Sequence, residues 1–188
     1  MKKGILFLVF ALAATYNSIA QTKFITRTGQ ASIFSHTAAE DIRANNNTVT
    51  GIINSLTGDV AISVPVQSFQ FEKALMQEHF NSPRFMDSKQ FPRIAWKGKI
   101  DNLSAIDFTK NGKYEAIVSG EITIKGVTKP LTGNANIEVD KGKVTVTTKL
   151  VVKDISSYGI GKPSGSKKNN VADDIEVSYN AVYEAGEQ

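Results

Sequence analysis

From Lys23 to Glu184 the chain is written almost entirely in a period of two, apolar and polar residues taking turns. In the run Val60–Val66, Val60, Ile62, Val64 and Val66 face one way, while Ala61, Ser63, Pro65 and Gln67 face the other. Successive side chains of a strand point to opposite faces, so this spacing predicts strands with one buried face. Further runs of the kind are Lys23–Thr28, Gln30–His36, Thr48–Leu56, Arg93–Ile100, Tyr114–Lys125, Val127–Val139, Val144–Lys153 and Asp174–Glu184. Gly29 marks a bend or bulge between the first two. Thr57-Gly58-Asp59, Lys110-Asn111-Gly112-Lys113 and Asp140-Lys141-Gly142-Lys143 are tight-turn signals. His36–Asn47 reads as a polar connection holding a turn of helix, and Leu103–Thr109 as strand or loop. Asp154–Asp173 reads as a long Gly/Ser/Lys/Asn loop.

About eight strands joined mostly by hairpins predict an all-β barrel or sandwich. Strand length favours the barrel. Tyr114–Lys125 is the longest expected strand; about eleven residues rise about 35 Å, or about 27 Å when tilted as in a barrel. Small residues among the large ones, Gly51, Gly98, Ala116, Gly120, Gly133 and Ala135, are expected to leave a lumen.

One stretch leaves the pattern. Ser68–Trp96 gathers large soft side chains between two strands. Within it Glu72–Phe80 holds strong helix formers and no β-branched residue. Leu75, Met76, His79 and Phe80 share a face at helical spacing. Ser82-Pro83 reads as the N-cap and first position of a second short turn, and Pro92 returns the chain to extended structure. The insertion is read as a helical cover over one barrel mouth. Phe69, Phe71, Met76, Phe80, Phe85 and Met86 are the candidate ligand-binding residues there; the plainer reading is that they only pack the cover onto the wall.

The 188 residues fit one domain, and the formal charge of +4 is too small to argue for nucleic acid. Two of those charges, Lys2 and Lys3, open a leader-like segment. An apolar run, Gly4–Ala14, and a small-x-small site, Ser18-Ile19-Ala20, follow. Residues 1–20 are expected to be a cleaved signal peptide and 21–188 the mature domain, periplasmic in a bacterium. With no cysteine, the chain has no disulfide and no thiolate site. Two sequons, Asn46-Asn47-Thr48 and Asn102-Leu103-Ser104, have meaning only in a glycosylating pathway.

His36 and His79 are the only histidines, without a glycine-flanked nucleophile or a carboxylate cluster. No catalytic residue, metal ligand or cofactor is therefore assigned. Lys162, Lys167 and Lys168 could meet a headgroup at the mouth, but a solvated loop explains them as well. Trp96 and Tyr158 are read as structural.

At this point a family resemblance enters. Glu78–Gly98, with its E-H-F-N-S-P-R-F-M-D-S core, and Gly120–Leu131, G-E-I-T-I-K-G-V-T-K-P-L, resemble the YceI-like, polyisoprenoid-binding family. Ser157-Tyr158-Gly159-Ile160 and Asp174-Ile175-Glu176-Val177 fit its pattern, and the similarity spans Gln21 to Glu184. Met76-Gln77-Glu78 stands where relatives often carry an Arg-Asp pair, so a charged contact there is not carried over. The resemblance implies an eight-stranded antiparallel lipocalin-like β-barrel and an exported, non-enzymatic protein. It also implies a long isoprenoid lipid held in an elongated apolar tunnel; a polyprenyl chain or quinone tail is the expected occupant, and transient contact with a membrane surface is expected of its carrier. Two alternatives stay open. One is a hydrolase or isomerase using an inward ionisable pair among Glu115, Glu121 and Glu138. The other is a solid-cored interaction module. Oligomeric state is not readable.

Overall fold

The computed structural model describes residues 23–38, 40–161 and 171–186. The strands among them are β1 (Lys23–His36), β2 (Asp41–Asn54), β3 (Asp59–Pro65), β4 (Gln70–Phe71), β5 (Arg93–Ile100), β6 (Gly112–Ile124), β7 (Val127–Pro130), β8 (Gly133–Asp140), β9 (Lys143–Val152) and β10 (Ile175–Ala185). One α-helix, α1 (Ala74–Asn81), lies between β4 and β5. Eight strands close a barrel in the order β1-β10-β9-β8-β6-β5-β3-β2, with β2 pairing back onto β1 and every pair antiparallel. The short β4 pairs with β2, and β7 continues β8 along β6. This is the eight-stranded barrel, with its helical insertion, that the alternation and the resemblance imply.

Local chemistry explains most of the path. The β6–β7 and β8–β9 turns place Lys125-Gly126 and Lys141-Gly142 at positive φ (49°, 79° and 49°, 78°). Positive φ at both central residues matches the twist of a two-residue hairpin. Gly29 sits at a bulge, where the β1 registers to β2 and β10 both shift. Pro65 ends β3, where its missing N–H breaks no ladder.

Four expectations need correction. The helical turn expected in His36–Asn47 does not form; β2 already starts at Asp41. Its asparagines look like loop residues but belong to a barrel wall. Asn45 and Asn47 are exposed, while Asn46 is fully buried with its amide satisfied. Asn46 Nδ2 donates to the Pro65 carbonyl at 2.8 Å, and Oδ1 accepts from the Thr48 N–H and hydroxyl. Val127–Val139 breaks at Leu131-Thr132, just after Pro130, which has no N–H to give. β1 and β2, at 14 residues each, exceed β6 at 13. Finally, Ser82-Pro83 opens no second helix. The Ser82 hydroxyl donates back to the His79 carbonyl at 2.6 Å, closing α1, and only turns follow.

Leu103–Thr109 proves to be a loop with a 3-10 turn at Leu103–Ala105. It sends Ile106 and Phe108 into the end of the barrel away from α1, where Phe108 stacks on Phe24 with centroids 5.6 Å apart. With Val139 and Val144 these side chains plug that end. A second apolar cluster, around Val66, Met86, Ile124, Val152 and Tyr158, lies at the other end under the insertion. The barrel is thus packed at its floor and capped at its mouth.

Candidate functional site

Between plug and cap the barrel encloses a cavity of about 700 Å³. Its walls come from the inward positions of the barrel strands: Ile33 and Ala31 on β1, Ile62 and Val64 on β3, Ile94 and Trp96 on β5, Ala135 and Ile137 on β8. These are the residues that the period of two assigns to one face. The lumen does not arise simply from small residues. Gly98 and Gly120 face each other across β5–β6, and the Trp96 indole lies over both: Cβ atoms there would come within 2.6 and 2.8 Å of its ring. Trp96 Nε1 donates to the Leu131 carbonyl at 3.2 Å, which fixes the ring. Leu150 fills the space over Gly133, and the Tyr183 hydroxyl that over Gly51. Only Ala116 and Ala135 act as expected, lining open space.

All six candidates from the insertion line this cavity. Phe69 is buried where the chain crosses the mouth toward β4. Phe80, on α1, meets Phe69 edge-on at 5.4 Å and Phe71 at 4.9 Å. Met76 lies one turn earlier on the helix, and Met86 is buried with its N–H on the Phe80 carbonyl at 3.0 Å. Phe85 completes the rim. Leu75 does not join them: it is 61% exposed, so the inward face of α1 is Met76, His79 and Phe80. No α1 residue is fully buried, as befits a cover.

The cover is tied down by polar contacts. Lys73 pairs with Glu40 at 3.0 Å, linking the start of α1 to the β1–β2 connection. Arg84 and Gly161 exchange hydrogen bonds at 3.3 and 3.2 Å, joining the loop after α1 to the loop after β9. Lys125 Nζ donates to the carbonyls of Pro83 and Gly159, both at 2.8 Å, clasping the same two loops. Lys129 donates to the Ser157 hydroxyl and lies over the Tyr158 ring at 4.9 Å. The two lysines of the I-K-G-V-T-K-P element therefore hold the rim together. Their residue types gave no such hint; only the fold brings residues 83, 125 and 159 together.

Polar groups facing the cavity are few. Glu40, His79, Ser82 and Arg84 sit at the mouth. Deeper in, the hydroxyls of Tyr179 and Tyr183 lie 2.7 Å apart. Burial pushes Tyr183 up to about 12 and raises Tyr179 further. The alternation of Asp174–Glu184 puts both tyrosines on one face of the last strand, but nothing in the sequence singles them out. Glu115, Glu121 and Glu138 are all exposed on the outer wall, Glu138 near Lys113 at 3.8 Å. His36 pairs with Asp41 at 2.6 Å on the surface. Among the described residues no three His, Asp or Glu side chains are grouped to hold a metal ion. The sequon asparagines are structural: Asn46 as above, and Asn102 with its amide between the Glu115 carbonyl and the Ile117 N–H. Residues 1–20, expected to be a leader, and the lysines 162, 167 and 168 lie outside the described residues.

The same barrel is found in known proteins. It aligns with a polyisoprenoid binding domain from Saccharophagus degradans implicated in plant cell wall breakdown, at 12% identity and TM-score 0.72 over 88% of this chain and 99% of that one. BcnA of Burkholderia cenocepacia matches at 17% and 0.67, over 82% and 95% of the two chains. A YceI protein of Campylobacter jejuni matches at 17% and 0.60, over 81% and 90%. At such identities the likeness is one of fold. No functionally curated sequence matches the chain significantly. The family model of the YceI-like domain matches residues 19–183, nearly the whole length, and the chain belongs to the YceI-like family.

Proposed function

We propose that this protein binds one long apolar lipid of isoprenoid type inside the barrel and serves as its carrier or reservoir in the periplasm, without catalysing a reaction. The observation that carries the reading is the cavity: about 700 Å³, walled by aliphatic and aromatic side chains, plugged at one end and covered at the other. That volume is in the range of small-molecule sites. Each five-carbon isoprene unit moved out of water is worth up to about 4 kcal/mol, only part of which appears as affinity. Met76 and Met86 at the rim are soft enough to repack around a kinked chain. The polyisoprenoid binding domain of S. degradans, named for its ligand, shares the barrel and supports the same reading.

The enzyme alternative asked for an ionisable pair in the lumen, and its three candidate carboxylates point outward. The ligand-free alternative asked for a filled centre. The test is organic extraction of protein purified from its native host, followed by mass spectrometry. The expected result is an isoprenoid-type lipid at near-equimolar amount. Protein that purifies without lipid and takes up none from vesicles overturns the reading.

A further inference from the structure

Among the described residues that line the inner half of the cavity, the tyrosine pair holds an O–H that the barrel itself does not use. Tyr183 pairs across the ladder with Val144, at the level of the plug, and its hydroxyl reaches that of Tyr179 on the same strand. Each hydroxyl carries one proton. One proton serves the bond between the two oxygens. The other has no acceptor among the described residues. Thr148, which also lines the cavity, spends its own proton on the Asn134 carbonyl at 2.6 Å.

The arrangement is seated rather than incidental. A Cβ at Gly51 would fall 2.5 Å from the Tyr183 oxygen, so glycine there makes room for the hydroxyl. Thr26, opposite Gly51 in the β1–β2 ladder, holds a buried hydroxyl with no partner among the described residues. Thr26 does not line the cavity, so it is the tyrosine pair that brings an unused O–H to the inner end. Phenylalanine would place the same rings without the polar oxygens, losing only the space that the Tyr183 hydroxyl takes over Gly51.

We propose that the Tyr179–Tyr183 pair recognises a neutral acceptor oxygen, a carbonyl, at the end of the lipid that enters first. The inference rests on the lipid-binding reading and adds the chemistry of the ligand's buried end. Charge argues for a neutral group. Arg84, the only lysine or arginine lining the cavity among the described residues, is on the mouth loop, so a phosphate carried to the inner end would meet no counter-charge there. A carbonyl needs only the one spare O–H.

The test uses delipidated protein and two probes, geranylgeranylacetone, an isoprenoid ketone, and its deoxygenated hydrocarbon. Trp96 lines the cavity, so its fluorescence reports binding of either. Wild type is expected to favour the ketone, and the double variant Tyr179→Phe/Tyr183→Phe to lose that preference by about fivefold to tenfold, the effect of one hydrogen bond. Circular dichroism shows that the variant folds, and the ratio of ketone to hydrocarbon affinity within each protein is the readout. Independently, infrared spectra of isotope-labelled ketone on the wild type should show the carbonyl stretch lowered by hydrogen bonding. An unchanged ketone preference in the variant, or an unshifted stretch in the wild type, overturns the proposal while leaving lipid binding intact. A wild type that binds neither probe overturns both.

Discussion

Lys125 Nζ lies 2.8 Å from the carbonyl oxygen of Pro83, across the rim of the barrel from the hairpin that carries it. The same ammonium reaches the Gly159 carbonyl, so one side chain holds both loops that border the mouth. Its backbone is left-handed, φ 49°, a conformation that asparagine accepts more readily than lysine. Lys125→Asn therefore keeps the turn and removes only the clasp. The expected outcome is a nearly unchanged melting temperature and lipid exchange to acceptor vesicles about threefold to fivefold faster, the worth of a modest hydrogen bond. Stopped-flow transfer of a fluorescent lipid measures it; an unaltered rate means that these loops do not gate the cavity.

The cover itself can be tested by charge. Phe80 and Met76 face the cavity from α1, whereas Leu75 on the same helix faces solvent. An aspartate at Phe80 or Met76 puts a carboxylate among the apolar side chains of the cover and against the lipid. Phe80→Asp and Met76→Asp should lose co-purifying lipid while retaining the β-sheet circular dichroism of the wild type. Leu75→Asp should keep its lipid. Equal lipid content in all three would remove the mouth from the binding site.

Much of this was legible in the sequence, for a physical reason. A closed barrel needs one face of every strand inward, so the period of two survives around the whole chain and gives the fold class and the wall residues together. The same logic failed where polarity stood in for structure. Asn45, Asn46 and Asn47 read as a loop because three asparagines in a row are rare in strands. Two of them face water, and the third satisfies its amide against Pro65 and Thr48. Helical spacing put Leu75 on one face with Met76, His79 and Phe80, but a cover has only a narrow wet-to-dry boundary and Leu75 falls outside it. Lys125 and the Tyr179–Tyr183 pair were invisible for another reason: their meaning lies in contacts made by folding, not in spacing.

The glycines opposite one another on β5 and β6 carry a steep expectation. At Gly98 a methyl group would lie 2.6 Å from the Trp96 ring and 2.7 Å from Gly120 Cα, and at Gly120 equally close to its neighbours. Neither backbone nor a ring pinned by its bond to Leu131 can yield cheaply. Gly98→Ala or Gly120→Ala should destabilise the barrel by about 2–3 kcal/mol in urea titrations. Trp96 emission should change with it as the ring is displaced into the cavity. A change below about 0.5 kcal/mol would mean that both the ring and the paired strands, whose Ser119 and Lys97 carbonyls would lie 2.2 and 2.4 Å from the added groups, have room to yield.

The buried tyrosines predict how stability responds to alkali. An unfolded tyrosine ionises near pH 10. Burial pushes Tyr183 up to about 12 in the folded chain, and burial together with its neighbour raises Tyr179 beyond that. Both shifts favour the protonated folded form, so unfolding releases protons above pH 10. The contribution of the pair is whole below that pH and is lost as the pH climbs toward 12, at a cost on the order of 3 kcal/mol for a two-unit shift. Urea titrations at pH 8, 10 and 11 should show the wild type losing stability faster than Tyr179→Phe/Tyr183→Phe, which lacks the pair. Phenolate absorbance at 295 nm should lag in the folded wild type and appear on unfolding. Parallel loss of stability in the two proteins would mean that water reaches the pair and that the hydroxyls are not buried as found.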